Sequence, residues 1–501
     1  MSTVRTAGGA LRGRATGGVH RFLGIPFAQA PVGPLRWRPP VPEAPWPGER
    51  DATSYGPVNQ QPPLTGSFRP LTPEPSRIGD DCLNLNVWTP DLGAAGLPVL
   101  VWIHGGAFYA GAGSDEVYDG SAFARDGVVA VTVNYRLGAH GYLYLDRLFP
   151  ELASGGSLGL HDQLAALRWV HDNIAAFGGD PARVTVAGES AGAMSVAALL
   201  ASPERHGLFS RAVLQSAPAA ITASPQTATR IGGYLLDALG IEPGDVAALE
   251  AVDPLTLQAA EMSIIEEAQT APTPERFAEL AAAPMPFVPV HGTDVLPQPP
   301  LEAIAAGAAA DVAVLAGSNS EESLIFFACV EDTVTAEMVE AAVPTEIAKR
   351  YRDRLSGGDG PARPHAILAA AGTDRMFRIP TYRLADALAR HNPDVWVYEF
   401  AWRSPVPGFG AGHFIEVPFV FHTVDTAQGH MFVGENPPAD LADTVHSAWV
   451  AFVSGGRPRS GGLPEWDRWE PGEPRLMVLD RRPRPSGDPR PDETSAWEEA
   501  R

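Results

Sequence analysis

Short runs of apolar residues, rich in valine, recur along the chain with helix-forming segments between them. Six of these runs predict buried strands: Pro98–Ile103, Val128–Val133, Val184–Ala187, Ala212–Leu214, Val312–Ala316 and Val395–Phe400. Because the residues within each run are nearly all apolar, rather than alternating with polar ones, the pattern indicates a sheet that is covered on both faces.

The segments between the predicted strands have helical periodicity. Apolar residues spaced three and four apart predict an amphipathic helix from Gln163 to Phe177, ended by Gly178 and Gly179. A strand–helix–strand order of this kind predicts an α/β fold with a mostly parallel, doubly wound sheet.

Two longer segments, at about 222–283 and 331–390, are rich in alanine, glutamate and leucine and predict helical caps over the sheet. We therefore expect one domain over residues 1–501 with two cap insertions. The last residues, 481–501, are dense in proline and charge, and are predicted to be a mobile end.

Composition and charge narrow the possible partners. The chain has 501 residues, 45% of them apolar, which is enough for a large buried core. Its 37 basic and 59 acidic side chains give a formal net charge of -22, so we expect neither a nucleic acid nor a membrane partner. The N-terminus has no apolar run of signal-peptide length, and this favours a cytoplasmic location.

The clearest chemical motif is Gly188-Glu189-Ser190-Ala191-Gly192, which lies between a predicted strand and a run of helix-forming residues. This is the context that a nucleophile elbow requires, whereas a chance match in a glycine-rich chain would lack it. The glycines let strand and helix approach closely, and the sharp turn strains the serine between them. We predict that Ser190 is a nucleophile at the N-terminus of a helix.

A loop for binding an oxyanion follows the strand Pro98–Ile103, and reads His104-Gly105-Gly106-Ala107-Phe108. Acyl transfer passes through a tetrahedral oxyanion, which needs backbone N–H donors aimed at it. We assign the donors to Gly106 and Ala107, with Ala191 as the third. By itself the loop would be interpreted as an ordinary glycine turn. We predict an oxyanion-binding loop because the same chain also has the nucleophile elbow.

A serine nucleophile needs a base and an orienting carboxylate, which follow it in the order acid, then histidine, in hydrolases with this elbow. Glu321 and Glu322 come just after the strand that ends at Ala316. His413 lies in a glycine-rich loop before an apolar run. Composition alone leaves the choice between the two glutamates open, and does not single out His413 among thirteen histidines.

Ordered strings along nearly the whole chain resemble the type-B carboxylesterase family, which includes bacterial para-nitrobenzyl esterases and the cholinesterases. In chain order they are Phe22–Ala28, Pro31–Trp37, Asp81–Val87, His104–Phe108, Val133–Gly138, Gly159–Gln163, Phe177–Pro181, Gly188–Gly192, Gly317–Ser323 and His413–Phe421. The resemblance implies an α/β-hydrolase fold and a serine esterase with a Ser-Glu-His triad.

The resemblance also assigns residues that the pattern leaves open. The acid of the family maps to Glu322 and its base to His413. Ser216 is implied to be a buried hydroxyl near the triad, and Glu189 to support the elbow from behind.

The chain departs from the family at its cysteines and at the aromatic residues near its N-terminus. No cysteine precedes Cys82, where secreted relatives have a disulfide partner; Cys329 is the only other cysteine. Their number and spacing indicate neither a disulfide framework nor a metal site, and agree with a reducing compartment. Between Asp51 and Asp81 the only aromatic residues are Tyr55 and Phe68, so we expect no tryptophan-based site for a choline cation.

The predicted reaction is the two-step hydrolysis of a small-molecule carboxylic ester through an acyl-enzyme, with no metal or organic cofactor. An amidase, lactonase or polyester hydrolase would share the triad and stays an alternative. A binding protein of the same fold without activity would be expected to lack the serine or the histidine. For assembly we expect a monomer or a small homo-oligomer.

Overall fold

The computed structural model describes residues 1–62, 77–217, 221–283, 285–356 and 361–500. Phe68, one of the two aromatic residues counted above, lies outside these ranges, as do residues 357–360 of the second predicted cap. The strands found in the described ranges are β1 (Ser2–Arg5), β2 (Ala10–Thr16), β3 (Val19–Pro26), β4 (Glu49–Asp51), β5 (Asn84–Thr89), β6 (Leu97–Ile103), β7 (Val129–Val133), β8 (Gly179–Glu189), β9 (Arg211–Gln215), β10 (Ala313–Asn319), β11 (Val395–Phe400), β12 (Leu476–Leu479) and β13 (Arg484–Ser486).

The α-helices of the same ranges are α1 (Ser121–Arg125), α2 (Gly138–Tyr142), α3 (Leu145–Leu148), α4 (Leu158–Asn173), α5 (Ala191–Ala201), α6 (Pro225–Leu239), α7 (Val246–Ala251), α8 (Pro254–Thr270), α9 (Pro274–Phe277), α10 (Pro300–Ala305), α11 (Ala336–Ala342), α12 (Thr345–Leu355), α13 (Pro364–Gly372), α14 (Ile379–Ala389), α15 (Val417–Val420), α16 (Ala427–Val433), α17 (Ala439–Gly455) and α18 (Pro491–Glu499). A π-helix, Thr373–Arg378, joins α13 to α14.

The strands form one sheet in the order β1-β2-β3-β5-β7-β6-β8-β9-β10-β11-β12-β13, with β4 paired to β2. From β7 to β12 all neighbouring strands are parallel, while β1, β2, β3 and β5 at one edge and β13 at the other pair antiparallel. The parallel strands therefore end at one common edge, and the loops that follow them lie next to each other.

Both faces of the sheet are covered. Val186 and Leu214 belong to an apolar cluster shared with α4, α5, α10 and α14, whereas the neighbouring Ala187 and Val213 face a second cluster shared with α1, α15 and α17. The two-faced burial explains why the central strands are continuously apolar. It confirms the mostly parallel, doubly wound sheet that the pattern predicts.

All six predicted strands are present. The predicted helix begins earlier than expected, at Leu158, and its last turn, Ile174–Phe177, is a 3-10 helix. The apolar pattern does not predict the antiparallel edge. In β5, for example, Asn84 and Asn86 are buried and use their amides to bind a carbonyl and a threonine hydroxyl of other segments.

The first predicted cap contains α6 to α9 and the second contains α11 to α14. α14 packs against β10 and β11, so it is a crossover helix of the sheet. α11, α12 and α13 pack with α18 around a third apolar cluster. The division of the chain into one domain with two cap insertions stays a prediction.

The C-terminal segment is not the mobile end that its composition predicts. It forms β13 and α18, and two of its charged side chains bind buried partners. Arg490 pairs with Glu399, and Asp488 accepts a hydrogen bond from Arg378 at 2.7 Å. Charges that would be solvated in a free tail are paired here because the tertiary structure supplies opposite charges. Among the helices of the described ranges, none has both the length and the apolar composition needed to cross a bilayer.

Candidate active site

Ser190 stands at the sharp turn between β8 and α5. Its φ of 54° and ψ of -122° are unfavourable for a residue with a side chain. Two backbone hydrogen bonds hold it there: its N–H donates to Gln215 at 2.9 Å, and its carbonyl accepts from Met194 at 2.9 Å. The predicted elbow is therefore present, with the hydroxyl-bearing residue in the strained position.

The two glycines of the elbow are required by space. A Cβ atom on Gly192 would lie 2.0 Å from the carbonyl oxygen of Ile103, and one on Gly188 would lie 2.5 Å from the backbone of Gly192. The start of α5 consequently packs directly on the ends of β6 and β8.

The loop after β6 lies against the elbow. A Cβ atom on Gly105 would lie 3.2 Å from Cβ of Ser190 and 2.7 Å from Oε2 of Glu189. Gly106, Ala107 and Phe108 follow with φ of 106°, 53° and 65°. Their left-handed conformations turn the loop sharply beside Ser190.

Three backbone N–H groups near the elbow are free to bind a ligand. Those of Gly106, Ala107 and Ala191 have no hydrogen-bond acceptor among the described residues. Two belong to the strained loop, and the third belongs to the first residue of α5, where a helix leaves its N–H groups unpaired.

Backbone strain is concentrated around Ser190. The non-glycine residues with positive φ in the described ranges are Ala107, Phe108, Ser190, Ser216, Ala278, Phe414 and His422. Of these, Ala107, Phe108, Ser190 and Ser216 lie in the segments that follow β6, β8 and β9, and Phe414 is the residue after His413. Strain of this kind persists where surrounding contacts impose it, and it is typical of functional sites.

Glu322 and His413 form a buried pair. Oε2 of Glu322 lies 2.6 Å from Nδ1 of His413, and the backbone N–H of His413 donates to the carbonyl of Glu322 at 2.9 Å. Oε1 of Glu322 accepts from Ser216 at 2.6 Å and from the N–H of Asn319 at 2.7 Å. Because three donors surround this carboxylate, its position and that of the imidazole are closely defined.

Glu321 has a different environment. Its Oε2 accepts from the N–H of Ala411 at 3.0 Å, and its Oε1 pairs with the exposed Arg403. The structure thus places Glu322, and not Glu321, on His413, while Glu321 binds the loop that carries this histidine.

Glu189 reaches the other side of the imidazole. Its Oε1 lies 2.9 Å from Nε2 of His413, and both side chains are almost fully buried. Burial by itself lowers the pKa of His413, but the carboxylates of Glu189 and Glu322 outweigh it and raise the pKa well above its usual range. Burial also raises the pKa of Glu189, and His413 opposes this shift only in part. Glu189 is therefore a direct partner of the histidine as well as a part of the elbow.

The sequence analysis missed a buried polar group next to this pair. Glu416 accepts from Gln215 at 3.0 Å and from Asn319 at 2.6 Å, and burial raises its pKa to about 8. Asn319 also donates to the carbonyl of Gly412, just before His413. A signal was present, since Glu416 is the one charged residue in the apolar run from Phe414 to Phe421.

Two aromatic rings flank the imidazole of His413. The ring of Phe377 lies at a centroid distance of 5.0 Å and that of Phe326 at 5.4 Å. No sequence pattern marked Phe377, because it belongs to a segment that was interpreted as part of a cap.

The structure thus brings all eight predicted site residues, from the ends of five strands and the segments that follow them, to the edge where the parallel strands end. Within the described ranges, no three His, Cys, Asp or Glu side chains are grouped in a way that could hold a metal ion. Cys82 and Cys329 are both free thiols.

Comparisons with known proteins give one consistent result. The sequence model of the carboxylesterase family matches residues 1–497. The chain is 38% identical over 485 residues to the para-nitrobenzyl esterase of Bacillus subtilis (strain 168), covering 95% of this chain and 94% of that protein. It is 36% identical over 500 residues to the phenmedipham hydrolase of Pseudarthrobacter oxydans, again covering 95% of this chain and 94% of that protein.

Solved structures agree with the sequence comparisons. The crystal structure of a carboxylesterase from Geobacillus stearothermophilus at pH 6.2 superposes with a TM-score of 0.85 at 36% identity, covering 99% of this chain and 100% of that one. A structure of a para-nitrobenzyl esterase superposes with the same TM-score at 34% identity. The likeness confirms the predicted α/β-hydrolase fold.

Proposed function

The chain belongs to the carboxylesterase family and is a carboxylic ester hydrolase, and we propose that Ser190 is its nucleophile, His413 its general base and Glu322 the orienting acid. The observation that carries the assignment is the 2.6 Å contact between Glu322 and His413, beside a serine in a strained turn. These are the parts that a serine hydrolase requires: a nucleophile, a base and a group that orients the base.

The reaction then has two steps. His413 Nε2 takes the proton of Ser190 as the Oγ atom attacks the ester carbonyl, and gives that proton to the departing alcohol. Water, deprotonated by the same nitrogen, next attacks the acyl-enzyme and releases the carboxylic acid and free Ser190. Glu322 stabilises the imidazolium that forms in both steps.

We assign the oxyanion hole to the N–H groups of Gly106, Ala107 and Ala191. Their lack of acceptors among the described residues and the position of their loop beside Ser190 support this role. Donors fixed in advance by the backbone favour the charged tetrahedral intermediate, because they need no reorganisation as the charge develops.

Oε1 of Glu189 lies 2.9 Å from Nε2 of His413, and in the proposed reaction the same nitrogen has to accept the proton of Ser190. We propose that the structure corresponds to a protonated His413 bridging two carboxylates. Loss of this proton frees Nε2 for Ser190, so the enzyme becomes active as the pH rises through the raised pKa of His413.

Substitution of Ser190 by alanine tests the nucleophile. Ser190→Ala should fold normally and lose the hydrolysis of para-nitrobenzyl and short-chain p-nitrophenyl esters by a factor of about 10⁵ or more. Ser195→Ala is a matched control, because Ser195 is buried one turn further along α5 and bonds to Gln163 and to the Ala191 carbonyl. Full turnover by Ser190→Ala would exclude the mechanism.

A second measurement separates ester hydrolysis from related reactions. The same purified protein is assayed against matched esters, amides, lactones and polyesters of equal acyl size. We expect the esters to give the highest kcat/KM, and higher turnover of amides would favour the amidase alternative.

We also propose a cytoplasmic location, a small-molecule ester as the only substrate partner, and a monomer or small homo-oligomer. The free thiol of Cys82 supports a reducing compartment, and the net charge of -22 disfavours nucleic acid. Fractionation of the native host and light scattering of the purified protein test these points.

A further inference from the structure

A π-helix lies directly behind the proposed catalytic histidine. It spans Thr373–Arg378 and interrupts the long helical segment formed by α13 and α14. Its position has a local cause: Pro380, at the second position of α14, has no N–H to donate to the carbonyl of Met376, and its ring would clash with that carbonyl in a regular helix.

One side of the π-helix contacts the proposed triad at two points. Thr373 accepts a hydrogen bond from the N–H of Ser323, the residue after Glu322, at 3.1 Å. The Phe377 ring packs on the imidazole of His413 at 5.0 Å. Both the acid and the base therefore have a neighbour in this one turn.

The other side of the π-helix is held by the C-terminal segment. Arg378 is fully buried and donates to Asp488 at 2.7 Å and to Thr494 at 2.9 Å. It also donates to Asp374, one turn away, at 2.6 Å. The guanidinium thus joins the π-helix to the last residues of the chain.

Asp374 makes a second connection to the same segment. It accepts from the hydroxyl of Tyr351 at 2.7 Å, and that hydroxyl accepts from Trp497 at 2.8 Å. Arg490 lies 3.8 Å from Asp374 and pairs with Glu399 on β11. The C-terminal segment therefore binds Asp374 and Arg378 of the π-helix, and also β11 of the sheet.

We propose that Asp488, Arg490, Thr494 and Trp497 act as a positioning clamp for the proposed active site, holding the π-helix so that Phe377 and Thr373 fix His413 and Glu322. The inference rests on the proposed roles of those two residues. It assigns a function in catalysis to side chains of the C-terminal segment, which bind the π-helix rather than Ser190, Glu322 or His413.

The geometry favours this role over a purely structural one. A segment that only stabilised the fold could be attached through any surface, yet Asp488 and Thr494 both bind the buried Arg378, in the π-helix that contacts the proposed triad. Aromatic packing and one hydrogen bond restrict the rotation of His413 and the backbone at Glu322, and small misplacements of a base have large effects on rate.

The test uses two substitutions within the C-terminal segment of the full chain. Asp488→Asn weakens the charged contact with Arg378 at almost constant volume. Glu493→Gln is the matched control, because Glu493 pairs with Arg354 on α12 at 2.7 Å rather than with a charged residue of the π-helix. Phe377→Leu removes the ring that packs on His413 and leaves the C-terminal contacts in place.

Three experiments are done on each variant. Steady-state kinetics with a p-nitrophenyl ester gives kcat and KM, thermal unfolding gives the melting temperature, and NMR gives the low-field proton resonance of the His413 Nδ1–H bonded to Glu322. We expect Asp488→Asn and Phe377→Leu to lower kcat by about ten- to a hundredfold, with KM nearly unchanged and the resonance weakened or shifted. Glu493→Gln should leave kcat and the resonance unchanged.

Two results would overturn the clamp. One is a loss of kcat in both Asp488→Asn and Glu493→Gln that is proportional, in each variant, to its loss of melting temperature. The other is an unchanged kcat and resonance in a folded Asp488→Asn or, if that variant does not fold, in Phe377→Leu. Failure of the proposed function is distinguishable, because it would appear as activity retained by Ser190→Ala.

Discussion

The Nε2 atom of His413 lies 2.9 Å from Oε1 of Glu189, the residue immediately before the proposed nucleophile. Since Nδ1 lies 2.6 Å from Glu322, the imidazole is held between two buried carboxylates. A histidine in this environment keeps its proton to a higher pH than a free one, because each carboxylate stabilises the charged form.

The pH dependence of catalysis follows from this contact. A base acts when it is deprotonated, so kcat/KM should rise with pH through the raised pKa of His413. Glu189→Gln removes one of the two carboxylates that raise the pKa of His413, and should therefore move the acid limb of the pH profile to lower pH. The measurement is kcat/KM as a function of pH; an unmoved limb, or a shift to higher pH, contradicts the role given to Glu189.

Glu321→Gln is the control for that experiment. Glu321 binds the N–H of Ala411 and Arg403 rather than the imidazole. The pH profile of the Glu321→Gln variant should therefore match that of the unmodified enzyme.

Substitution of Glu322 tests the choice of the acid. In Glu322→Gln the amide can donate to Nδ1 and so favour the wrong tautomer of His413, and kcat should fall by about 10⁴-fold. Glu321→Gln retains an oxygen for Ala411 and should keep kcat within about threefold of the starting value. If the Glu321 variant were the inactive one, the assignment of the acid would be wrong.

The elbow gives a prediction about glycine. Gly192→Ala places a Cβ atom 2.0 Å from the carbonyl oxygen of Ile103, so α5 must move away from the sheet. We expect a clear loss of melting temperature and of activity. Gly233→Ala in α6 is the matched substitution, because a Cβ there meets no atom within 4 Å. It should raise the free energy of unfolding by about 0.5–1 kcal/mol and leave activity unchanged; equal behaviour of the two variants would contradict the packing argument.

The two cysteines should differ in reactivity. Cys82 is buried, and burial raises the pKa of its thiol to about 12, whereas Cys329 is exposed. A thiol reagent should therefore label Cys329 quickly in the folded protein, because the thiolate is the reactive form. After unfolding it should label both cysteines. Peptide mapping identifies the labelled residue, and rapid labelling of Cys82 in the native state would show that its surroundings are open to solvent.

The central sheet was predictable from the sequence because its strands are continuously apolar, a pattern that only two-sided burial explains. The edge strands were not, since they are short or carry buried amides such as those of Asn84 and Asn86. The structured C-terminus was also unexpected. Its charges acquire buried partners such as Arg378 only when distant parts of the chain meet.

The sequence by itself determined the elbow at Ser190 and the loop beside it, because both depend on residues that are adjacent in the chain and on glycine where a Cβ cannot fit. The local pattern left open which glutamate meets His413. The family resemblance implied Glu322, and the tertiary structure separates the two neighbours physically, because Glu322 contacts the imidazole whereas Glu321 binds Ala411 and Arg403. The tertiary structure also brought Glu189 to Nε2 and Phe377 to the imidazole. Such contacts depend on the packing of segments far apart in the chain, which local patterns do not encode.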